Sequence, residues 1–237
     1  MSGPLLSIKE LNAYYGKALI LQNVSFSVNS MERVAILGRN GMGKSTLMKS
    51  ILGLAGVRRE GSIYFKNVNI FDKKTYKIAG SGIAYIPQGR QLFSSLSVEE
   101  HLTIAYRPKI SVNEWTPKKI FDIFPEIKDR KKIKGTKLSG GEQQILAIGM
   151  ALVSNPYLIL MDEPSEGIST FVLDRIIQLC CQLSEQGVTM LLVEQNLNLA
   201  LRIAQKIYIL VNGQIVLETS SDRFKADKES QHKYLGI

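Results

Sequence analysis

The feature that most constrains the fold is a glycine-rich stretch near the N-terminus. It consists of Gly38, Arg39, Asn40, Gly41, Met42, Gly43, Lys44, Ser45 and Thr46. An apolar run typical of a buried strand, 34–37, precedes it, and a helical pattern that stops at Gly53 follows. Glycines, lysine and serine in this order between a strand and a helix are typical of a phosphate-binding loop, whose bare backbone N–H groups hold a polyanion. Lys44 would serve the outer phosphates, and Ser45 would offer a hydroxyl to Mg²⁺. A plain glycine-rich turn explains only part of this set, so the stretch predicts a nucleoside triphosphate site.

Composition and charge narrow the class of protein. The chain has 237 residues, of which 45% are hydrophobic and 22% are charged, the ordinary balance of a folded domain. No apolar run approaches the roughly 20 residues that cross a bilayer, and no signal-peptide pattern is present, so we expect the protein to stay where it is made. The net charge of +9 is scattered along the chain. We therefore favour a solvated basic surface over a membrane surface, and either over nucleic acid.

The order of strand and helix patterns predicts an α/β fold. Segments 5–28 and 61–65 alternate like half-buried antiparallel strands, and the chain after 155 alternates apolar strands with helices, which is typical of a parallel sheet covered by helices. Between them, about 91–155 is expected to form a mainly helical lobe. We predict one domain over 5–237, with a P-loop NTPase core, an antiparallel β-subdomain and the inserted helical subdomain.

Local signals refine this outline. Ser97 and Glu100 form a capping box at the start of a helix, and Pro125 is expected to end the helix that begins near Lys118. Asn212 and Gly213 predict a tight hairpin turn. The polar tail, 221–237, is expected to be a short helix under weak constraint, and the adjacent cysteines Cys180 and Cys181 are expected to be small buried side chains.

Two carboxylates follow the apolar strand pattern 157–161. A strand carries Asp162 to the carboxyl edge of the sheet, where α/β proteins bind ligands, and there it can hold the hydration shell of Mg²⁺. We expect Glu163 on the opposite side of the pleat, as the base or orienting group for the water that attacks the γ-phosphate. A solvated acidic pair is the alternative, which the phosphate-binding loop upstream disfavours.

A third signal lies at 138–144, where Ser139 and Glu142 form a second capping box around two glycines. Alone it would indicate only a helix start. It follows the phosphate-binding loop and precedes the strand that ends in Asp162. With its motifs in this order, the sequence resembles the ATP-binding subunit of ABC transporters over nearly the whole chain. In this resemblance, 138–144 matches the signature string of the family. The resemblance implies a head-to-tail dimer that holds two ATP molecules, each between one subunit's phosphate-binding loop and the other's signature string. It implies that Ser139, Gly140 and Gly141 bind ATP. Of these, Ser139 and Gly141 would contact the γ-phosphate of the ATP held by the other subunit.

The same resemblance gives roles to further residues. Tyr15 matches the aromatic residue that stacks on adenine, with Tyr14 as a second candidate and a core tyrosine as the alternative. Gln88 matches the glutamine that touches Mg²⁺ or the attacking water and relays closure to the membrane subunits. Gln195 stands where the family usually has a histidine that senses the γ-phosphate, and glutamine can donate a hydrogen bond there without carrying a charge. Ser169 replaces the usual aspartate of the D-loop, so contacts made by that carboxylate across the dimer cannot be assumed.

Short strings point to a subgroup. The segments 193–196, 142–149 and 234–236 resemble branched-chain amino acid transport subunits, whereas 166–168 looks more like the urea-transport relatives. The resemblance implies ATP and Mg²⁺ as cofactors and solute import through membrane permeases. Implied partners are those permeases, a second ATP-binding subunit of the same or another kind, and an extracytoplasmic solute-binding protein, with no nucleic acid. The implied location is the cytoplasmic face of the inner (cell) membrane, as a peripheral subunit.

Two other classes stay open. One is a non-transport ABC ATPase that acts on DNA or ribosomes. DNA-repair members carry a long coiled coil that the 95 positions (139 − 44) between Lys44 and Ser139 cannot hold, and translation-type members usually join two such domains in one chain. The other is a regulatory nucleotide-binding module with little turnover. An intact Glu163 argues against it, while Gln195 and Ser169 leave it open.

Overall fold

The computed structural model describes residues 3–109 and 114–236. Its strands are β1 (Leu6–Tyr15), β2 (Ala18–Val28), β3 (Arg33–Leu37), β4 (Arg58–Phe65), β5 (Val68–Asn69), β6 (Ile83–Ile86), β7 (Leu158–Asp162), β8 (Thr189–Glu194), β9 (Lys206–Val211) and β10 (Gln214–Ser220). Its helices are α1 (Lys44–Leu52), α2 (Thr75–Gly80), α3 (Val98–Ala105), α4 (Pro117–Ile123), α5 (Pro125–Lys128), α6 (Gly140–Val153), α7 (Thr170–Glu185), α8 (Leu197–Ile203), α9 (Ser221–Ala226) and α10 (Lys228–Leu235).

The larger sheet has six strands in the order β10-β9-β3-β8-β7-β6. All neighbours are parallel except β10, which pairs with β9 in the antiparallel hairpin at Asn212 and Gly213. Its central strands are buried on both faces, because alternate side chains enter two different apolar clusters. Parallel strands bring their carboxyl ends to one edge, so the ends of β3, β7 and β8 meet there. The predicted α/β fold with a parallel sheet is confirmed.

The smaller sheet has four antiparallel strands in the order β2-β1-β4-β5, in agreement with the predicted β-layer. Its inner face, with residues such as Ile8 and Leu21, packs in the same apolar cluster as Leu47 and Ile51 of α1. The smaller sheet is thereby fixed beside the helix that follows the phosphate-binding loop.

The chain between β6 and β7 is mainly helical, and α3, α4 and α5 all contact α6. The capping box at Ser97 is confirmed, since the Ser97 hydroxyl accepts from Glu100 N and the Glu100 carboxylate accepts from Ser97 N. The helix predicted near Lys118 ends before Pro125, as expected. The helix ends at Ile123, and Pro125 begins α5, because the first position of a helix does not need the N–H that proline lacks. The division into a separate lobe over 91–155 stays a prediction, and 110–113 lie outside the described residues.

The expectation of a weakly constrained tail is wrong for the residues described. The tail forms α9 and α10, and Phe224 is fully buried in the same apolar cluster as Ile203 and Ile207. The side-chain amide of Gln231, itself buried, donates to Phe224 O. One buried aromatic residue is enough to anchor a segment whose composition is otherwise polar.

Two further features concern the cysteines and the length of the helices. Cys180 is buried and Cys181 is partly exposed, and burial raises the pKa of the Cys180 thiol to about 12. The expectation of a buried side chain is confirmed for Cys180 and is wrong for Cys181, and both thiols are free. Among the helices of the described segments, none has the length and apolarity needed to cross a membrane.

Candidate functional site

The phosphate-binding loop connects β3 to α1, and at two of its glycines there is no room for a side chain. Gly43, the residue before α1, has a left-handed backbone with φ of 99°, and a Cβ atom there would lie 2.8 Å from the Leu21 side chain. A Cβ atom on Gly38 would lie 2.6 Å from the carbonyl oxygen of Leu210. A side chain at either position would distort the loop. At Gly43 the left-handed backbone disfavours any other residue, and at Gly38 the neighbour is a backbone atom that cannot rotate away.

Distant parts of the chain brace this loop. Gly213 N, in the β9-β10 hairpin, donates to Met42 O at 3.2 Å, and Gln22 N donates to Gly213 O at 2.8 Å. On the other side Gly38 N donates to Glu194 O at 3.2 Å. The loop is therefore held by strands of both sheets.

Lys44 is the cation of the site. Its side chain is 4% exposed, and Nζ donates to Gly38 O at 2.9 Å and to Arg39 O at 3.1 Å. Nζ also lies 2.9 Å from Glu163 Oε1. A buried ammonium needs such partners, and they fix it at the base of the loop.

Asp162 is the last residue of β7 and is 2% exposed. Ser45 Oγ donates to its Oδ1 at 3.0 Å, and the Tyr85 hydroxyl donates to its Oδ2 at 3.1 Å. Burial raises the pKa of Asp162, and the two hydroxyl donors oppose that rise only in part. The carboxylate is thus held against the start of α1.

Glu163 does not lie across the pleat from Asp162 as expected. The strand ends at Asp162, and Glu163 adopts a left-handed backbone with φ of 48°, which turns its side chain toward the phosphate-binding loop. Its Oε1 meets Lys44, and its Oε2 accepts from Gln88 Nε2 at 3.0 Å. Such a backbone at a residue other than glycine costs about 1–3 kcal/mol and is typical of functional sites.

A cleft of about 440 Å³ opens over these groups. It is lined by Tyr15, Ile20, Asn40, Gly41, Gly43, Lys44, Ser45, Thr46, Gln88, Glu163 and Glu166. Tyr15 is 39% exposed at its rim. Tyr14, in contrast, donates its hydroxyl to Glu60 at 3.0 Å and has Arg58 against its ring. Of the two tyrosines, Tyr15 is therefore the one available to a ligand in the cleft.

Gln195 lies in an adjoining cavity of about 320 Å³ that shares Asn40 and Glu163 with the cleft. Sequence reasoning missed Glu194, which precedes it and is buried. One Glu194 oxygen accepts from Ser165 N, and the other accepts from the N–H groups of Gln195 and Asn196, all at 3.0 Å. Burial raises the pKa of Glu194, while these donors oppose the rise. The sequence could have indicated Glu194, because it is a carboxylate at the end of β8, the strand next to β3.

The signature string begins α6 in the predicted way, with Ser139 accepting from Glu142 N and Glu142 accepting from Ser139 N. Within the described chain, Ser139, Gly140 and Gly141 do not line the cleft at the phosphate-binding loop. A Cβ atom on Gly141 would lie 2.7 Å from Val172, so this glycine lets α6 approach α7 closely. The structure therefore brings most predicted residues together and leaves these three apart.

The donor set is suited to a hard cation. Ser45 would offer a hydroxyl, Asp162 a carboxylate and Gln88 an amide oxygen, and oxygen ligands of this kind are those that Mg²⁺ prefers. A positively charged loop beside two carboxylates is, in turn, the arrangement that binds a polyphosphate together with a cation.

Known proteins are similar to this chain over most of its length. The family model described as ABC transporter matches residues 21–166, more than half of the chain. The high-affinity branched-chain amino acid transport ATP-binding protein BraG of Pseudomonas aeruginosa is 37% identical, covering 98% of this chain and 100% of that protein. The probable branched-chain amino acid transport ATP-binding protein LivF of Archaeoglobus fulgidus is 35% identical, covering 98% and 99%.

Solved structures of ATP-binding cassettes have a similar fold. The ADP conformation of MJ1267, an ATP-binding cassette of an ABC transporter, has a TM-score of 0.82 and 29% identity, covering 99% of this chain and 98% of that one. A dimeric post-hydrolysis cassette, MJ0796 bound to ADP and phosphate, has a TM-score of 0.78 and 27% identity, covering 91% and 98%. The fold, the phosphate-binding loop and these likenesses together show that the chain belongs to the ABC transporter family, as an ATP-binding subunit that hydrolyses ATP.

Proposed function

We propose that this ATPase powers solute import through membrane permeases and that the solutes are branched-chain amino acids. The observation that carries the proposal is the end-to-end likeness to branched-chain amino acid transport subunits from a bacterium and an archaeon. Import assigns the protein to the cytoplasmic face of the cell membrane, as a peripheral subunit. It also calls for an extracytoplasmic solute-binding protein, because an importer must collect its solute outside.

The cleft supports specific roles for its side chains. The triphosphate carries more negative charge than one carboxylate, so its outer phosphates would take the Lys44 ammonium from Glu163. Glu163 would keep its hydrogen bond from Gln88 and be free to accept a proton from the attacking water. We assign Mg²⁺ to oxygen atoms of Ser45, Asp162 and Gln88. When bound, the ion neutralises charge on the phosphates.

The signature residues serve the other subunit in this proposal. Ser139, Gly140 and Gly141 lie away from the cleft of their own chain, and the backbone N–H groups at the start of α6 suit a phosphate. We assign them to the ATP held by a second ATP-binding subunit, identical or different. Gln195 would then lie beside the γ-phosphate of the ATP bound by its own chain and serve as a neutral hydrogen-bond donor.

A groove of about 400 Å³ along β6 supports docking of a permease segment. Its lining includes Pro87, Arg90, Phe93, Arg107 and Met150, and Phe93 is 55% exposed. The groove thus combines an apolar surface with two guanidinium groups, which suits a permease segment that carries both apolar and acidic side chains. Pro87 adjoins Gln88, so the docked segment would act directly on the glutamine that contacts Glu163.

The test is a pull-down of this protein from detergent-solubilised membranes, with identification of what accompanies it. We expect two polytopic permeases and an ATP-binding subunit. Recovery of ribosomes or DNA-bound proteins with no membrane subunit would instead favour a non-transport ATPase.

The solute is tested on the purified complex with its solute-binding protein. We expect ATP hydrolysis to be stimulated by leucine, isoleucine or valine and not by urea. Stimulation by urea or an amide alone would reassign the solute, and hydrolysis indifferent to the permeases would favour a regulatory module.

A further inference from the structure

Tyr85, a residue that sequence reasoning did not single out, contacts the carboxylate assigned to the metal. Its hydroxyl donates to Asp162 Oδ2 at 3.1 Å, while Ser45 donates to Oδ1 at 3.0 Å. A phenol ordinarily titrates at about pH 10, so at neutral pH the hydroxyl carries its proton and is the donor to the carboxylate.

The strand register explains how the contact arises. In the parallel pair of β6 and β7, Tyr85 lies opposite Leu160, and Asp162 lies two residues further along β7 on the same face. Two residues of a strand span about 6.5 Å, which is the reach of a tyrosine side chain laid along its neighbour. A tyrosine at this position can therefore place its hydroxyl at the end of β7, and a shorter residue cannot.

The same short segment holds the second carboxylate. Three residues after Tyr85, Gln88 donates to Glu163 Oε2 at 3.0 Å. Asp162 and Glu163 thus each receive a hydrogen bond from the segment that begins in β6. Phosphate-binding loop residues provide the other contact to each carboxylate.

We propose that Tyr85 is a positioning residue that orients the Asp162 carboxylate for Mg²⁺. The inference rests on the proposed metal site. Hydrogen bonds to a metal ligand fix its orientation, and their loss typically weakens metal affinity about 10–100-fold. Tyr85 reaches Asp162 but not the lining of the cleft, so its hydroxyl should affect the metal and not nucleotide affinity without metal.

The variant Tyr85→Phe removes the hydroxyl and leaves the ring. Binding of a non-hydrolysable ATP analogue is measured by calorimetry in EDTA and then across a Mg²⁺ titration. We expect unchanged affinity in EDTA and about a tenfold higher Mg²⁺ concentration at half effect. Electron paramagnetic resonance of Mn²⁺ bound with the same analogue provides an independent count and affinity of the metal.

The matched control is Tyr208→Phe. Tyr208 is a buried tyrosine of the same sheet whose hydroxyl donates to Ser27 O at 3.2 Å, away from the cleft. It reports what loss of a buried hydroxyl does to folding alone, and we expect its Mg²⁺ dependence to equal that of the wild type.

A double-mutant cycle shows whether Tyr85 acts through Asp162. In an Asp162→Asn background, Tyr85→Phe should change the Mg²⁺ dependence no further. An equal loss in that background overturns the inference, as does an unchanged Mg²⁺ dependence of Tyr85→Phe alone or weaker binding already in EDTA. If the wild-type protein binds the analogue without any effect of Mg²⁺ or Mn²⁺, the proposed metal site itself fails, which is a separate result.

Discussion

Asp162 keeps a carboxylate where the protein interior disfavours charge. Because burial raises its pKa, the folded protein holds a proton on this group more strongly than the unfolded chain does. From the unfolded value of about 3.9 up through the raised folded value, the unfolded chain binds fewer protons, so the free energy of unfolding falls as pH rises. At neutral pH the charged Asp162 carboxylate therefore lowers the free energy of unfolding.

Asp162→Asn is expected to be more stable than the wild type above this pH window. Both neighbours are hydroxyls, Ser45 and Tyr85, which can turn to donate to the amide oxygen and accept from the amide nitrogen. Urea unfolding between pH 3.5 and 8 should show a stability difference that grows with pH and then levels off, while Mg²⁺-dependent ATP hydrolysis is lost. Asp122→Asn, at a half-exposed surface position, is the control for removal of a negative charge. A difference that shrinks with rising pH would contradict the account.

Glu163→Gln separates binding from hydrolysis. Glutamine cannot take the proton of the attacking water, so ATP turnover should fall by about 10²–10⁴-fold. It also lacks the charge with which Glu163 holds Lys44, so ATP affinity should not fall. Light scattering with ATP should detect an accumulated closed dimer. Unchanged turnover would remove Glu163 from the role of base.

Two helices of the described chain begin with the same device, which offers an internal comparison at the scale of elements. Ser97 caps α3 and Ser139 caps α6, and in each case the hydroxyl accepts from the backbone three residues on at 3.3 Å. A glutamate completes both boxes. Their structural contributions should match, so any difference in function belongs to the signature string.

Ser97→Ala and Ser139→Ala should each lower the free energy of unfolding by about 1 kcal/mol, the usual value of a serine cap. Only Ser139→Ala should also lower ATP hydrolysis and ATP-dependent dimer formation. Thermal unfolding and a steady-state ATPase assay give both quantities on the same samples. An equal loss of hydrolysis in the two variants would reduce Ser139 to a helix cap.

Local patterns allowed much of this to be predicted from the sequence. The patterns that predict the phosphate-binding loop, both capping boxes, the hairpin at Asn212 and the individual strands each lie within a short stretch of the chain. The contact of Tyr85 with Asp162 spans 77 positions, and no local pattern encodes it. The left-handed turn at Glu163 was missed for another reason, because the strand pattern gives no sign that it stops one residue earlier.

The C-terminal helices are part of the main core at the scale of the molecule. Phe224 is 0% exposed and belongs to the apolar cluster that fills one face of the six-stranded sheet. The clusters on the two faces together join both sheets and the helices around them. Stability of the whole domain should therefore depend on a side chain near its end.

Phe224→Ala should lower the free energy of unfolding by about 3–5 kcal/mol, as expected for a buried phenylalanine. Urea unfolding measures the change, and Phe93→Ala, at an exposed phenylalanine, is the matched control with a small effect. Saturating ATP should recover part of the lost stability, because the ligand binds only the folded chain. Equal effects of the two substitutions would mean that α9 does not contribute to the core.

The braces of the phosphate-binding loop have a consequence for the order of synthesis. The loop leaves the ribosome well before Leu210 and Gly213, which shape and hold it and lie far later in the sequence. Contacts between such distant positions form late, since the loop between them must close first. A growing chain that ends before this hairpin therefore has the glycines and Lys44 but no finished place for a phosphate. ATP can therefore stabilise the chain only after the hairpin at Gly213 has been synthesised.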